Sequence, residues 1–198
     1  ELEAQLFLAK VFDERLLHPT NDLMSAMVHS HGEDEEPLTM AELQNLMHQL
    51  ITGGFETTQT AINHVMWTLI RYPELQSQLR EDNTLIKPFV DEVLRWESPV
   101  QFLARRAKED IEINGTLIEK DSMVLVGYGP ANRDQGKFEC PHQFDIERPN
   151  SGANLAFGSG RHFCPGALLA KQEMTSSFKL LLDCLLYTSP SPRDTALS

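Results

Sequence analysis

The chain has 198 residues, of which 41% are hydrophobic and 23% charged, and its formal net charge is −12 at pH 7. These proportions suit one globular unit with a sizeable core and give no sign of a fibrous or wholly disordered protein. The acidic excess argues against nucleic-acid binding, because phosphates would be repelled. No apolar stretch is long enough to span a membrane. Three cysteines without close pairing argue against a disulfide framework and favour a reducing compartment, the cytoplasm.

Helical spacing of apolar residues opens the chain. It predicts a first helix over Glu1–His18 and a shorter one over about Asp22–Ser30, with Pro19 breaking the pattern between them. The first residues carry no signal region and are typical of a position in mid-domain. The acidic cluster Glu33–Glu36 resembles a set of metal ligands, but we interpret it as a solvated connector.

The longest periodic segment opens at Thr39, which forms a capping box with Glu42. Its apolar pattern continues to Arg71 and predicts a helix of roughly 50 Å, long enough to cross a domain. Such a helix is usually central to its fold.

The sequence GGFETT in the middle of that helix breaks the local rules, because two glycines in a helix interior cost about 1 kcal/mol each. One interpretation is that Gly53 and Gly54 let another helix cross closely. The other is that the missing side chains open a shallow groove, with the Thr57 hydroxyl and the Glu56 carboxylate beside it. A flat cofactor with a small gas ligand fits such a groove.

Two shorter helices follow, one over Glu74–Arg80 and one that begins with Pro88 and stops before Pro99. Within the second, Glu92 and Arg95 lie three residues apart and are close enough to pair. At a surface such a pair is worth under about 1 kcal/mol and by itself indicates little.

Strand signals come next. Alternation over Asp110–Ile113, the turn pair Asn114-Gly115 and the apolar run Ser122–Gly127 predict a small antiparallel sheet. A last helix carries apolar residues from Leu168 onward, and the periodicity ends at about Leu186. Residues 187–198 predict a disordered tail, and we hypothesise that it is not native sequence.

One cysteine lies in a glycine-rich loop, Asn154–Gly166 (NLAFGSGRHFCPG). Cys164 precedes the last helix, which Pro165 is suited to begin. Unpaired N–H groups and the positive end of the helix dipole stabilise a thiolate there, as a ligand or nucleophile. The glycines let the backbone approach a bulky group closely. Taken alone, however, a single cysteine is more often a small buried hydrophobic residue.

The segment FGSGRHFCPG resembles the haem-binding loop of the cytochrome P450 superfamily, whose axial iron ligand is a cysteine thiolate. GGFETT resembles that superfamily's oxygen-binding helix, and Glu92-x-x-Arg95 resembles its core structural pair, which a downstream arginine completes. Arg148 of FDIER is the matching candidate. The resemblance implies a mainly α fold with a small antiparallel β-sheet. It matches the C-terminal part of the haem domain of a soluble, bacterial-type enzyme over residues 1–186, without the N-terminal half.

This resemblance implies a cofactor site. Cys164 would ligate the iron of haem b, and Arg105 and His162 would bind its propionates. The other residues implied to contact haem are Phe157, Gly158, Gly160, Gly53 and Gly54. The segment beside the substrate pocket is Val100, Gln101, Phe102 and Leu103.

The resemblance also implies the chemistry. Thr57 would hold dioxygen and relay protons that Glu56 gates, while Glu92, Arg95 and Arg148 would hold the haem loop in place. The implied enzyme is a haem-thiolate monooxygenase that inserts one oxygen atom from O2 into a small apolar organic substrate.

Electrons from NAD(P)H would arrive through a ferredoxin or similar redox partner, which docks near the cysteine loop, where Arg161 and Lys171 supply positive charge. As a fragment with an exposed apolar face, the chain is expected to be inactive alone.

Two alternatives remain at this point. Cys140, His142, His162 and Cys164 make two Cys/His pairs that would suit a zinc-stabilised structural module. That hypothesis leaves GGFETT and the Glu-x-x-Arg pair unexplained. The other alternative keeps the fold but drops the oxygenase: a peroxide-using relative, or a haem protein without monooxygenase turnover. The presence of Glu56 and Thr57 argues against a dedicated peroxygenase.

Overall fold

The computed structural model describes residues 2–29, 31–32 and 36–184. The first three residues of the acidic connector and the whole predicted tail, 187–198, lie outside the described residues. The described chain divides between Phe55 and Glu56 into two compact units. Among the described residues no helix combines the length and the apolar character that a membrane span requires.

The first unit begins with helix α1 (Leu2–Leu17), which packs against helix α2 (Leu23–His29). Both agree with the prediction to within a residue at each end. Asp22 caps α2, accepting a hydrogen bond from the Ser25 backbone N–H at 2.8 Å and one from Arg15 Nε at 2.7 Å. The hydrogen bond from Ser25, followed by those from Thr20 and Arg15, holds the pKa of the Asp22 carboxyl well below its usual range.

Helix α3 (Met40–Arg71) starts in the first unit and ends in the second. Its 32 residues give a length of about 48 Å, as predicted. The predicted capping box is present: the Thr39 N–H donates to Glu42 Oε2 at 2.8 Å, and the Glu42 N–H donates to Thr39 Oγ1 at 3.3 Å. The hydrogen bond from the Thr39 N–H, followed by one that the Thr39 hydroxyl donates to Glu42 Oε2 at 2.7 Å, lowers the pKa of the Glu42 carboxyl.

The second unit is built around helix α5 (Ile86–Trp96), in which every residue from Phe89 to Trp96 is buried. Helix α4 (Glu74–Glu81) and helix α7 (Ala167–Cys184) pack with it, together with the last part of α3. The core of this unit contains Ala61, Val65, Leu69, Leu75, Leu79, Ile86, Phe89, Val90, Val93, Leu94, Met174, Phe178 and Leu182. The element that carries the Glu-x-x-Arg pair is therefore the most enclosed helix of the described chain.

Two predicted helix starts are wrong by two residues. A 3-10 turn (Asn83–Leu85), whose first N–H groups Asp82 caps, leads straight into α5, so that buried Ile86 and not Pro88 begins it. Pro88 fits because the first turn needs no N–H from it. Likewise α7 begins at Ala167 and not at Pro165, since the Ala167 N–H donates to the Cys164 carbonyl in a tight turn.

Four strands form two separate antiparallel pairs among the described residues. Strand β2 (Ile111–Ile113) and strand β3 (Thr116–Ile118) form the predicted hairpin, with φ of 49° at Asn114 and 77° at Gly115 in its turn. Strand β1 (Phe102–Arg106) pairs with β4 (Met123–Gly127), which is the predicted apolar strand. The short helix α6 (Tyr128–Ala131) follows β4 directly. Strand β1 was not predicted, because its partner β4 is separated from it in sequence by the whole β2–β3 hairpin.

Candidate functional site

The loop that carries Cys164 is closed by its own backbone. The Cys164 N–H donates to the Phe157 carbonyl at 2.9 Å, and the Gly158 N–H donates to the Leu155 carbonyl at 2.9 Å. Gly158 and Gly160 both adopt φ of 71°, the left-handed region that side chains disfavour. Glycine is therefore required at both positions by the path of the chain.

Cys164 itself is a free, half-buried cysteine between a 3-10 turn (Gly160–His162) and α7. A Cβ added to Gly166 would lie 3.8 Å from the sulfur, and a Cβ added to Gly160 would meet no atom within 4 Å. Open space thus lies beside Gly160, and any side chain at Gly166 would begin in contact with the sulfur. His162, the predicted propionate ligand, is exposed in the same turn, as is Arg161.

The side chains of the predicted triad, Glu92, Arg95 and Arg148, are in direct contact in the structure. Arg95 makes two hydrogen bonds to the Glu92 carboxylate, Nε to Oε2 and Nη2 to Oε1, each 2.7 Å long. Arg148 Nε donates to Glu92 Oε1 at 3.1 Å. The side chains of Glu92 and Arg95 are 0% exposed and that of Arg148 is 4% exposed. This is a buried charge network and not a surface pair.

The remaining donors of the two arginines reach backbone carbonyls of the segment that leads towards the cysteine loop. The acceptors are the carbonyl oxygens of Asn132, Pro141 and Gln143 for Arg95, and of Glu139, Cys140 and Gln143 for Arg148. Because buried polar groups must be paired, this network fixes the path of an irregular segment that has no ladder of its own.

The four predicted residues of the GGFETT segment lie on consecutive turns of α3. Gly53 and Thr57 are four residues apart and share a face, and a Cβ added to Gly54 would meet no atom within 4 Å. Glu56 is exposed and Thr57 is half-buried. The helix therefore presents bare backbone next to one carboxylate and one hydroxyl.

The predicted pocket segment leads into β1 and overlaps its first two residues, Phe102 and Leu103. Leu103 and Arg105 lie opposite Val126 and Val124 of β4, so the two side chains share one face of the strand pair. Phe102 is 52% and Leu103 43% exposed, Gln101 is also exposed, and Val100 is half-buried. The predicted propionate ligand Arg105 thus shares its face with a residue of the predicted pocket wall.

The zinc hypothesis is not favoured. Among the described residues, no three His, Cys, Asp or Glu side chains are grouped so as to hold a metal ion. Cys140 is exposed at φ of 44°, with its carbonyl hydrogen-bonded to Arg148. A tetrahedral site from Cys140, His142, His162 and Cys164 therefore has no support in the geometry.

A sequence profile of the family described as Cytochrome P450 matches residues 7–187. The chain belongs to the cytochrome P450 family. The putative cytochrome P450 140 of Mycobacterium tuberculosis (strain ATCC 25618 / H37Rv) is 39% identical over 173 residues, 86% of this chain and 40% of that protein. The cytochrome P450 monooxygenase PikC of Streptomyces venezuelae is 38% identical over 178 residues, 89% of this chain and 42% of PikC.

The fold agrees with this family. Substrate-free CYP109E1 from Bacillus megaterium matches with a TM-score of 0.89 at 31% identity, covering 96% of this chain and 49% of that one. The mainly α architecture with small antiparallel strand pairs is thus that of a cytochrome P450, as predicted. The chain spans less than half the length of these three relatives, between 40% and 49%.

The donor set around Cys164 fits the haem that a cytochrome P450 binds. The haem of this family is held through one cysteine thiolate, and Cys164 is a half-buried free thiol outside any metal-ligand cluster of the described residues. The open space at Gly160 leaves room for a bulky group close to the backbone of the loop.

Sequence reasoning missed Asn132. Its side chain is 0% exposed, donates to Ser98 Oγ at 2.8 Å and accepts from the Leu155 N–H at 2.6 Å, while its carbonyl accepts from Arg95 at 2.9 Å. Asn132 therefore connects the buried triad to the start of the cysteine loop. No pattern distinguishes this asparagine from an ordinary turn residue, because its partners come from distant parts of the chain.

Proposed function

We propose that this chain is part of a haem-thiolate monooxygenase, an oxidoreductase that inserts one oxygen atom from O2 into an apolar organic substrate. The family and the fold support a haem monooxygenase type of function. The observation that carries the proposal is the Cys164 turn: a free thiol held by a loop whose backbone closes on itself.

In this proposal Cys164 would ligate the iron of haem b through its thiolate. Arg105 and His162, both exposed, bind the propionates. Phe157, Gly158 and Gly160 would shape the loop that holds the cofactor, and Gly53 and Gly54 of α3 are further residues proposed to contact it. When bound, the haem would supply the activation of dioxygen, with the Cys164 thiolate as the ligand that tunes its iron.

Glu56 and Thr57 handle the protons. A hydroxyl both donates and accepts, so Thr57 Oγ1 is suited to pass a proton on, and the exposed Glu56 carboxylate is suited to exchange it with solvent. The two residues are adjacent on α3, where bare glycine backbone precedes them by one turn. Glu92, Arg95 and Arg148 have the structural role of fixing the haem loop.

The substrate is a small apolar organic molecule, bounded on one side by Val100, Gln101, Phe102 and Leu103. The related CYP109E1 has been solved with corticosterone and with testosterone, which supports this class. Electrons derive from NAD(P)H and arrive through a ferredoxin or similar partner. We propose the cytoplasm as the compartment, which the free thiols of Cys140 and Cys164 support.

The iron ligand is tested with two cysteine variants of the haem-loaded protein. Cys164→Ala should abolish the Soret shift that marks thiolate ligation in the reduced carbon monoxide complex. Cys140→Ala removes an exposed free cysteine and is the matched control, which should keep that shift. A wild-type protein without the shift, or a Cys164→Ala protein with it, would overturn the proposal.

The proton role is tested by coupling. Thr57→Ala should separate NAD(P)H oxidation from product formation, whereas Thr57→Ser keeps the hydroxyl and should restore coupling. Unchanged coupling in the alanine variant would contradict the role of Thr57. Because this chain is expected to be inactive alone, turnover is measured on a chain completed to the length of its relatives. Haem binding without any turnover there, given substrate and redox partner, would instead favour a haem protein of this fold that is not a monooxygenase.

A further inference from the structure

Lys171 lies near the cysteine loop, where sequence reasoning made it a docking charge for a redox partner. In the structure its ammonium group already has a partner. Lys171 Nζ lies 2.7 Å from Asp91 Oδ1, and the side chains of Lys171 and Asp91 are 31% and 11% exposed. Within the described part of the chain, no hydrogen-bond donor satisfies Oδ1 in good geometry. The short ion pair with Lys171 is therefore what compensates this carboxylate charge.

Asp91 is in contact with the first part of the cysteine loop. Asn154 Nδ2 donates to the Asp91 carbonyl at 3.3 Å. Just before the loop, a Cβ added to Gly152 would lie 3.7 Å from Asp91 Oδ2. Asp91 also directly precedes Glu92, so the same turn of α5 carries one member of the ion pair and one member of the buried triad.

Lys171 is in contact with the loop through the ring of Phe157. Its Nζ lies 5.7 Å from the centroid of the Phe157 ring, within the range of a cation–π interaction. Phe157 supplies the carbonyl that accepts the Cys164 N–H, and it packs against the core of the second unit. Lys171, Asn154 and Phe157 line one shallow cavity together with Phe163, the neighbour of Cys164.

We propose that Lys171 and Asp91 are positioning residues for Cys164. Their ion pair joins α7 to α5 and holds the Lys171 ammonium group against the Phe157 ring. This contact fixes the position of Phe157, whose carbonyl accepts the Cys164 N–H, and so fixes the turn that carries the thiol. Because its charge is used inside the protein, Lys171 is not a docking charge for a redox partner. The consequence for haem rests on the proposed function, whereas the effect on the loop does not.

Amide hydrogen exchange tests the effect on the loop without haem. The reporters are the Cys164 and Gly158 N–H groups, which donate to the carbonyls of Phe157 and Leu155. Lys171→Met and Asp91→Asn should each speed exchange at both amides about tenfold, the factor for a local opening that costs ~1.4 kcal/mol less. Lys171→Arg keeps the pair and should restore the slow exchange.

The double variant and a surface control complete the design. In the double variant Lys171→Met/Asp91→Asn, the two amides should exchange no faster than in either single variant, because the two substitutions remove the same ion pair. Lys179→Met removes a charge from an exposed position of the same helix and should change nothing. Unchanged exchange in the two single variants would overturn the proposal. If Asp91→Asn does not fold, the comparison of Lys171→Met with Lys171→Arg still tests the proposal, because Lys171 is partly exposed.

The haem-loaded protein separates positioning from docking. Asp91→Asn leaves the Lys171 charge in place and frees it, so a docking role predicts normal or tighter binding of the redox partner. Positioning predicts instead that Asp91→Asn and Lys171→Met both shift the reduced carbon monoxide complex away from thiolate ligation. Weaker binding of the redox partner in Lys171→Met alone, with a difference from wild type that disappears at high salt, would show a docking role for Lys171 and refute the positioning role. A wild type without thiolate ligation would contradict the proposed function, while the exchange data would still test the ion pair.

Discussion

Replacing Glu92 by glutamine removes one negative charge from between two buried guanidinium groups while keeping the shape of the side chain. Glu92 Oε1 accepts from Arg95 Nη2, from the Asp145 N–H and from Arg148 Nε, at 2.7, 3.0 and 3.1 Å. Oε2 accepts from Arg95 Nε at 2.7 Å. In the variant the amide NH2 must face one of these donors, so two donors meet and a buried positive charge loses its counter-ion.

The structure sets the size of this effect. The side chains of Glu92 and Arg95 are 0% exposed, and breaking a buried ion pair from one side costs about 3–5 kcal/mol. That is a large part of the roughly 5–15 kcal/mol by which folded domains are stable. The matched control is Glu97→Gln, which breaks the pair with Arg133 at the end of the same helix, where the side chains are 33% and 31% exposed. That pair should contribute less than about 1 kcal/mol.

Urea unfolding followed by tryptophan fluorescence measures both variants. The two tryptophans, Trp67 and Trp96, stack with centroids 6.2 Å apart in the second unit, so the signal reports the unit that holds the triad. The free energy of unfolding should fall several times more for Glu92→Gln than for Glu97→Gln. Equal losses in the two variants would refute the reasoning from burial.

Three further predictions concern single features of the fold. Asn132→Leu leaves one buried N–H of the cysteine loop unpaired and should cost about 1–3 kcal/mol in urea unfolding. Gly158→Ala, at φ of 71°, should destabilise by about 1–2 kcal/mol, whereas Gly54→Ala, with no atom within 4 Å of its Cβ in a helix, should stabilise by up to about 1 kcal/mol. The hydrogen bonds from Ser25, Thr20 and Arg15 lower the pKa of Asp22 in the folded chain. The ionised Asp22 carboxylate should therefore stabilise the fold above the unfolded pKa of about 4, and this stabilisation should be lost as the pH falls towards the folded pKa. NMR titration of Asp22 together with circular dichroism checks this.

Local rules were sufficient where the signal and the structure lie close together in the chain. The Thr39–Glu42 capping box and the long helix to Arg71 are where the pattern predicts, and so is the Asn114-Gly115 hairpin turn. The first residue of a helix was harder to predict, because a proline is tolerated in the first turn but does not fix where that turn begins. Pro88 and Pro165 are therefore tolerated near helix starts that other residues decide.

The sequence by itself determined the family, the order of the helices and the residue types of the candidate site. Motifs such as FGSGRHFCPG, GGFETT and Glu-x-x-Arg are local, and the chemistry of a thiol on a glycine turn follows from the residues themselves. Only the tertiary structure decided which of those residues are buried and joined. The spacing of Glu92 and Arg95 is the same for a weak surface pair as for an enclosed network. It is the packing of α5 in the core of the second unit, with carbonyls from residues 132–143 around it, that makes it a network. The same holds for Asn132 and for the Asp91–Lys171 pair, because their partners are far apart in sequence and meet only when the chain has folded.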